Sequence, residues 1–264
     1  MISVIIPVYN AAATVENALL SVKNQQCGED FEVIVVDDGS TDDSSQVIRR
    51  FISENTEINI SLITQENKGV SAARNAGLKT AHGDFIALLD ADDEWLPEKT
   101  ERQMNVFRNF SHIEFLGCKR TNQKILLPYT VSKDNLAEIS FRKLMIRNET
   151  HPSSVIFKRS ILSKVGFFDE NQSHAEDANY WLRVSLCCRM YLLNESLLFA
   201  GGGKRTFGVS GLSADLAAME RGFQKNIAEM YEKKRITLLE KTVYQKFYVL
   251  KYYILLARRF FHNL

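Results

Sequence analysis

The segment FIALLDADD, residues 85–93, joins a run of apolar residues to three closely spaced aspartates. Its first half has the pattern of a buried strand, and ionised carboxylates are costly to bury without partners. We therefore predict that the aspartates lie just past the strand, facing a cation or water. Crowded carboxylate oxygens suit a hard divalent cation such as Mg²⁺ or Mn²⁺, which usually enters a site together with substrate phosphates.

Strand and helix patterns alternate around this segment. The predicted strands are 3–8, 31–37, 58–65 and 85–89, and the predicted helices are 12–24, 42–53, 70–80 and 97–110. Apolar strands separated by helices indicate an α/β fold with a Rossmann-like, mostly parallel central sheet covered on both faces. Ligands of such sheets bind at the carboxyl ends of the strands. Polar clusters follow three of these strands, at Tyr9–Asn10, Asp37–Ser40 and Asp90–Asp93.

The pattern is less regular after residue 110. The predicted strands there are 113–118, 124–127, 154–158 and 190–199, and the predicted helices are 135–147, 176–187, 213–230 and 236–261. No internal repeat or low-complexity linker divides this part of the sequence. We therefore predict one α/β domain, residues 1–212, followed by a helical C-terminal extension over residues 213–264.

The composition is that of a soluble globular protein with a sizeable core. The 264 residues are 45% hydrophobic and 25% charged, and the formal net charge is +1, so nothing predicts a nucleic-acid partner. The charge is unevenly spread, because residues 221–264 hold ten Lys or Arg against three Glu. Such a basic C-terminal region often meets an anionic surface.

The cellular compartment is predicted from three features. The four cysteines show no CxxC spacing, which is typical of reduced thiols in a cytosolic protein. The N-terminus begins with a strand pattern and lacks the parts of a signal peptide. No segment of 18 or more uncharged apolar residues occurs, so no membrane-spanning helix is predicted. We expect a cytoplasmic protein that could lie at the inner face of the cell membrane.

Two further segments have both a functional and a structural interpretation. In residues 37–42, a carboxylate can accept hydrogen bonds from a base or a ribose hydroxyl, but an Asp-Gly turn before a Ser/Thr helix cap has the same pattern. In residues 67–77, Gly69 permits a tight loop into a helix. Arg74 lies one turn into that helix and could reach a base or a phosphate, although a solvated arginine fits equally.

Four ordered motifs together resemble the nucleotide-binding half of family 2 glycosyltransferases with the GT-A fold. The motifs are PVYN at residues 7–10, VDDGS at 36–40, NKG with ARN between 67 and 75, and LDADD at 89–93. The resemblance is detailed over residues 1–100 and looser to about residue 215. It implies a nucleotide-binding half at residues 1–100 and an acceptor-binding half at residues 101–212.

The resemblance also implies a role for each matched residue. Pro7 and Tyr9 would lie near the base, and Asp38 would bind the uracil or ribose. Arg74 would contact the nucleotide. Asp90 and Asp92 match the two acids of the DxD motif: Asp90 would hold the ribose or a metal-bound water, and Asp92 would ligate Mn²⁺ or Mg²⁺. For Asp93, a place in the site and a cap on the next turn remain alternatives.

The catalytic base is predicted in a second acidic segment. Glu176-Asp177 looks like the family's Glu-Asp segment, although acidic residues at a helix start are also favoured by the helix dipole alone. We predict Asp177 as the base that deprotonates an acceptor hydroxyl and Glu176 as the residue that orients it. A single in-line displacement would then invert the anomeric centre.

Two basic residues and one histidine complete the candidates. The glycine-rich stretch 201–213 carries Lys204 and Arg205, which suit a diphosphate; a flexible surface loop is the alternative. In many relatives a histidine of this region helps to hold the metal, but Phe207 stands there. His151 could line the acceptor site, and a structural histidine is at least as compatible with the sequence.

The last predicted helix has an apolar stripe, formed by Val243, Phe247, Leu250, Ile254, Ala257 and Phe261. Tyrosines and Lys or Arg residues flank it, which fits a helix lying in a membrane interface. Packing on the catalytic domain or against a second copy in a homodimer explains the same stripe.

The sequence therefore predicts an inverting, metal-dependent glycosyltransferase. It would move a sugar from a nucleoside diphosphate donor, most simply a UDP-sugar, to a hydroxyl of a glycan or lipid-linked glycan. A sugar-phosphate nucleotidyltransferase is one alternative, but the first strand is not followed by a glycine- and arginine-rich loop. A non-catalytic nucleotide-sugar-binding protein is the other. The absence of GxGxxG after the first strand disfavours a dehydrogenase.

Overall fold

The computed structural model describes residues 1–201 and 212–262 of the chain. Its described part contains a single sheet of nine strands. The strands are β1 (Ile2–Val8), β2 (Phe31–Asp37), β3 (Asn59–Thr64), β4 (Phe85–Leu88), β5 (Glu94–Trp95), β6 (Phe115–Arg120), β7 (Leu136–Ile139), β8 (Ile156–Lys158) and β9 (Met190–Phe199). Their order is β3-β2-β1-β4-β8-β6-β9, and β5 and β7 both pair with β9.

The sheet is mostly parallel, as predicted. β3, β2, β1 and β4 are parallel to one another. β8 is antiparallel to both β4 and β6, and β6 is parallel to β9. The carboxyl ends of β1, β2 and β4 therefore share one edge of the sheet, which brings together the polar residues that follow these strands.

Helices cover both faces of the sheet. They are α1 (Val15–Lys23), α2 (Ser44–Glu54), α3 (Val70–Thr80), α4 (Lys99–Asn109), α5 (Phe141–Leu144), α6 (Ile161–Val165), α7 (Glu176–Ser185), α8 (Leu216–Glu232) and α9 (Leu238–His262). Alternate strand residues enter two separate cores: Ile5 packs on the side of α3 and α7, and Val4 on the side of α1 and α4. Each fully buried side chain of this size contributes about 1.5–3 kcal/mol.

Two predictions for the second half of the chain were wrong. Residues 135–147, predicted as a helix, form β7 and the short α5, because Leu136–Ile139 pairs with the first residues of β9. Tertiary pairing has overridden helix propensity here. Residues 124–127, predicted as a strand, form none. Leu127 is 82% exposed and Pro128 has no amide donor, so this segment joins no strand ladder, although Ile125 packs against the core.

The C-terminal extension is helical, as predicted, and contacts the sheet domain through α8 and through the Arg142–Glu240 ion pair of α9. Helix α9 lies against α8, where the rings of Phe223 and Tyr248 stack with centroids 4.6 Å apart. The predicted apolar stripe of α9 does not face the domain: Val243, Leu250 and Ile254 are 55%, 60% and 45% exposed. Packing on the α/β domain therefore does not explain that stripe. Among the described residues, no helix is long and apolar enough to cross a membrane.

Candidate active site

Asp38, at the end of β2, fixes the loop that leads into α3. Its carboxylate accepts hydrogen bonds from Gln65 Nε2 at 2.7 Å and from the backbone N–H groups of Lys68 and Gly69 at 2.9 and 2.8 Å. Gly69 has φ +86°, which only glycine adopts without strain. A carboxylate has about four acceptor positions, so Asp38 retains room for one further donor, such as a base N–H or a ribose hydroxyl.

The turn after β1 presents an aromatic ring at the same edge. Pro7 is buried within β1, in register with Val36 of β2. Tyr9 is exposed, and the next residue, Asn10, is held by a hydrogen bond from the Thr41 N–H to its Oδ1 at 2.8 Å. The strand end therefore offers the Tyr9 ring for stacking beside the Asp38 carboxylate.

Arg74 of α3 is buried and joins two acidic residues. Its guanidinium donates to Asp90 Oδ1 at 2.8 Å and to Glu176 Oε1 at 2.9 Å. Burial alone would lower the pKa of Arg74, but the two carboxylates outweigh that effect and raise it. The Nε–H of Arg74 has no hydrogen-bond partner among the described residues. The predicted contact between Arg74 and a nucleotide stays a prediction, because both terminal nitrogens already bind acids.

The acidic turn after β4 is cross-linked to the segment before β8. Ser153 Oγ accepts from the Asp90 N–H at 2.9 Å and donates to the Asp93 carboxylate. The other Asp93 oxygen accepts from the Gly201 N–H at 2.7 Å. The Nδ1 of His151 lies 3.3 Å from Asp93. Asp93 therefore belongs to the site and is buried in it.

Three of these residues form a group able to hold a metal ion. One donor atom each from Asp90, Asp93 and His151 lie within 4.8 Å of one another. Burial lowers the pKa of His151 to about 4, so its ring is neutral near pH 7, which is the form that ligates a metal. Its Nδ1 accepts a long hydrogen bond from the Ser153 N–H at 3.4 Å. The two carboxylates suit Mg²⁺ or Mn²⁺, and the imidazole nitrogen favours Mn²⁺ of the two. Asp92 is outside this group and is exposed, and its predicted metal contact stays a prediction.

The pKa values of the three aspartates in the acidic turn shift in different directions. Burial would raise the pKa of Asp90, but the charge of Arg74 outweighs it, and the net shift is downward. Burial and the Asp90 charge raise the pKa of Asp93. Partial desolvation, together with the charges of Asp93 and Asp90, also raises the pKa of Asp92. Extra positive charge at this turn would relieve that repulsion.

The acidic pair Glu176-Asp177 opens α7, as predicted. Glu176 is fixed by Arg74, and Asp177 is half-buried with its Oδ2 3.3 Å from Asn148 Nδ2. Burial and the neighbouring Glu176 charge raise the pKa of Asp177 to about 7. A carboxylate with such a pKa is suited to accept a proton near neutral pH.

Sequence reasoning missed two residues of this site, Asn148 and Ser153. Asn148 Oδ1 accepts from the Thr150 N–H at 3.0 Å, which turns the amide nitrogen toward Asp177. The polar run of residues 148–154 before β8 is the sequence signal for this segment, and of its members only His151 is among the candidates above. Lys204, Arg205 and Phe207 lie outside the described residues.

The comparisons with known proteins agree with this fold. A family model described as Glycosyl transferase family 2 matches residues 3–166. TarS 1–349 of S. aureus in complex with UDP-GlcNAc has a TM-score of 0.69 at 22% identity, covering 94% of this chain and 71% of TarS 1–349. PcManGT, a mannosyltransferase from Pyrobaculum calidifontis in complex with GDP-Man and Mn²⁺, has a TM-score of 0.68 at 22% identity, covering 88% and 64%. These likenesses show the GT-A fold.

One relative is a named bacterial enzyme. WfgD of Escherichia coli, named a UDP-Glc:alpha-D-GlcNAc-diphosphoundecaprenol beta-1,3-glucosyltransferase, is 30% identical over 191 residues, which cover 70% of this chain and 69% of WfgD. The chain spans about two-thirds of the length of the first curated glycosyltransferases that it matches. Since the family model matches well over half of its residues, the chain belongs to glycosyltransferase family 2.

Proposed function

We propose that the chain is an inverting, metal-dependent transferase that moves a sugar from a UDP-linked donor to a hydroxyl of a lipid-linked glycan. One observation carries this proposal. The ion pairs from Asp90 to Arg74 and from Arg74 to Glu176 hold the acidic turn after β4 beside the acidic pair of α7. On this proposal, the two ion pairs of Arg74 join the donor site to the base.

The donor end of the site is formed by strand ends. The Tyr9 ring would stack on the base, Pro7 would support that ring from within β1, and Asp38 would accept a hydrogen bond from the base or ribose. Asp90 would hold the ribose or a metal-bound water. Lys204 and Arg205, outside the described residues, are proposed to contact the diphosphate. UDP as the nucleotide is supported by the UDP-GlcNAc complex of TarS and by the name of WfgD.

Asp90, Asp92, Asp93 and His151 are the residues proposed to hold Mn²⁺ or Mg²⁺. Burial, together with the repulsion among the aspartates, raises the pKa values of Asp92 and Asp93, and a divalent cation would offset that repulsion. When bound, such an ion would neutralise charge on the departing diphosphate. PcManGT, of the same fold, was solved with Mn²⁺.

Asp177 would take the proton from the acceptor hydroxyl as that oxygen attacks the anomeric carbon. Glu176, held by Arg74, would orient the acceptor, and the Asn148 amide would fix the Asp177 carboxylate. With one base and one displacement, the anomeric configuration inverts. On this proposal no covalent sugar-enzyme intermediate forms.

Release of labelled sugar from a panel of UDP-sugars tests the donor site. We expect turnover with Mn²⁺ or Mg²⁺ and a loss of more than about 10-fold in EDTA. Asp92→Ala should weaken UDP-sugar binding about 10- to 100-fold when metal is present, because a metal contact is lost. The readout is thermal stabilisation by each donor with and without metal.

Asp84→Ala is the matched control, because Asp84 is an exposed aspartate at the other end of β4. It should bind the donor as the wild type does. Equal donor affinity with EDTA and with Mn²⁺ would contradict metal dependence, and formation of a nucleotide-sugar from a nucleoside triphosphate would identify a nucleotidyltransferase instead.

We propose that α9 docks on an anionic membrane at the inner face of the cell membrane. Its apolar stripe is exposed, and three cations, Lys246, Lys251 and Arg258, lie on or beside that stripe. Apolar burial with cations at the rim is the chemistry of an interfacial helix on anionic lipid. A lipid-linked acceptor, as the name of WfgD gives for that enzyme, would be reached from this surface. All four cysteines are free thiols, which fits a reducing compartment.

Cosedimentation with vesicles tests this docking. Leu250→Gln combined with Ile254→Gln should lower affinity for phosphatidylglycerol-containing vesicles at least about 10-fold, because each leucine-sized side chain contributes 1.5 kcal/mol or more. Leu127→Gln, which alters an exposed leucine away from α9, should leave binding unchanged. A concentration-dependent dimer that the double variant abolishes, without vesicle binding by the wild type, would favour a homodimer through α9.

A further inference from the structure

The acidic pair of α7 follows a strained residue. Ala175 precedes the helix with φ 54° and ψ 28°, in the left-handed region that residues with a Cβ seldom occupy. This conformation sets the direction in which α7 starts, and therefore where the Glu176 and Asp177 carboxylates point. A strained conformation persists only when the surrounding structure fixes it.

Helix α8 supplies much of that surrounding structure. The Ala175 carbonyl accepts hydrogen bonds from Asn226 Nδ2 at 3.0 Å and from Gln172 Nε2 at 3.2 Å. Asn226 Oδ1 in turn accepts from Gln172 Nε2 at 2.8 Å and from Asn179 Nδ2 at 3.1 Å. These three amide side chains are buried, so the network cannot exchange its partners freely with water.

Gly222 lies one helical turn before Asn226 and brings α8 into contact with the same backbone. A Cβ built on Gly222 would lie 2.3 Å from the His174 carbonyl oxygen and 3.2 Å from the Ala175 Cβ. Only a residue without a side chain allows this approach. Gly222 therefore contacts the backbone of His174, and Asn226 donates a hydrogen bond to Ala175. These two successive residues lie immediately before the acidic pair.

The same turn is tied to α3, which carries Arg74. Ser71 Oγ donates to the Gln172 carbonyl at 3.1 Å, and Arg74 binds Glu176 from the other side. The start of α7 is thus held between α3, which belongs to the donor half, and α8, which belongs to the C-terminal extension. Without the α8 contacts, the ion pair with Arg74 would hold the start of α7 from the α3 side alone.

We infer that Asn226 and Gly222 of α8 are positioning residues, which hold Ala175 in its left-handed conformation and so direct Asp177 at the acceptor hydroxyl. The inference rests on the proposed function of Asp177 as the base. On this inference, the C-terminal extension contributes to the geometry of the active site. Neither residue touches the reacting atoms, since both act through the turn at residues 174–175.

Kinetics of full-length variants test this inference. Asn226→Ala should lower kcat about 10- to 100-fold while the KM for the UDP-sugar stays within about twofold, because a misdirected base costs rate and leaves donor binding intact. Asn226→Asp keeps the shape and replaces the donor by an acceptor, and it should lose kcat similarly. Asn226→Asp provides the test if the Asn226→Ala variant does not fold. Gly222→Ala should lower kcat as well.

A second substitution separates positioning from general destabilisation. Glycine adopts the left-handed conformation without strain, so adding Ala175→Gly to Asn226→Ala should recover kcat about threefold or more. Ile227→Ala is the matched control, because it truncates a buried side chain of the same helix without removing a hydrogen bond to Ala175. It should lower stability and keep kcat near the wild-type value.

The outcomes distinguish this inference from the function on which it rests. An Asn226→Ala or Asn226→Asp enzyme with wild-type kcat, beside an inactive Asp177→Asn enzyme, overturns the positioning role alone. The positioning role is also overturned if Ile227→Ala loses as much kcat as Asn226→Ala and if Ala175→Gly does not restore kcat to Asn226→Ala. An active Asp177→Asn enzyme overturns the assignment of the base and the inference together.

Discussion

Asp177→Asn is expected to bind UDP-sugar as the wild type does and to transfer sugar about 10³-fold more slowly. Asparagine keeps the shape of the side chain and its position beside Asn148, but it cannot accept a proton, and removal of a general base costs 10²- to 10⁴-fold. Single-turnover transfer and donor titration, measured separately, check the two halves of this prediction.

The pH dependence of the wild-type enzyme follows from the same residue. Asp177 is surrounded by Glu176, Arg74 and Asp90, and its pKa is raised to about 7, so the base is formed as the pH rises. We expect kcat to increase through about pH 7 and then level off. Because the folded state holds this proton more tightly than the unfolded state, stability falls as the pH rises from the ordinary aspartate pKa of 3.8 to about 7, and the full loss is present at pH 8. Asp177→Asn should therefore raise the melting temperature at pH 8.

Asp169→Asn is the control for these measurements. Asp169 is a partly exposed carboxylate in the segment before α7, and it forms an ion pair with Lys225 of α8. Its substitution should leave both kcat and the pH profile near those of the wild type. Transfer by Asp177→Asn within about 10-fold of the wild-type rate would remove Asp177 from the role of base.

Arg74→Met is expected to lower the free energy of unfolding by about 3–5 kcal/mol, the cost of breaking a buried ion pair by removing one partner. The substitution leaves the Asp90 and Glu176 carboxylates without their common cation. Methionine fills part of the space, so the loss is electrostatic rather than a cavity effect. Urea unfolding at pH 8 and pH 5 measures it.

The loss of stability in Arg74→Met should change with pH, and the pKa of Asp90 determines in which direction. Arg74 now holds the pKa of Asp90 below its ordinary value, and without Arg74 burial would raise that pKa. A carboxylate whose folded-state pKa is raised loses stability as the pH rises. Arg74→Met should therefore be more destabilising at pH 8 than at pH 5.

Arg50→Met is the matched comparison, because the Arg50–Glu16 pair has a 2.7 Å contact but is exposed to solvent. Exposed ion pairs contribute about 0–1 kcal/mol. A loss for Arg74→Met no larger than that for Arg50→Met would show that Arg74 does not hold the two acidic segments together.

The sequence indicates the residues at the strand ends more directly than those of the irregular segments. Asp38 and Asp90 follow short, regular strands, and parallel strands place such residues at one edge of the sheet. The ion pair from Arg74 to Glu176 joins residues 102 positions apart, and no local pattern indicates which carboxylate a buried arginine selects. Asn148 and Ser153 lie in an irregular segment whose course depends on tertiary contacts.

The errors in the second half have a similar cause. Leu136–Ile139 is a strand only because β9 supplies hydrogen-bond partners along it, and those partners lie far away in sequence. The apolar periodicity of α9 was identified correctly, but periodicity does not tell whether a stripe faces the protein's own core. Here the tyrosine side, with Tyr248, packs on α8.

The exposed stripe of α9 has a consequence for how the enzyme would meet its acceptor. A protein held on a bilayer searches for a lipid-linked substrate by lateral diffusion in two dimensions, so the number of acceptors per unit area replaces their bulk concentration. Tethering of both partners to one surface raises their effective concentration without any new contact. A water-soluble acceptor analogue would then show a higher apparent KM than the natural substrate, even with an unchanged catalytic cleft.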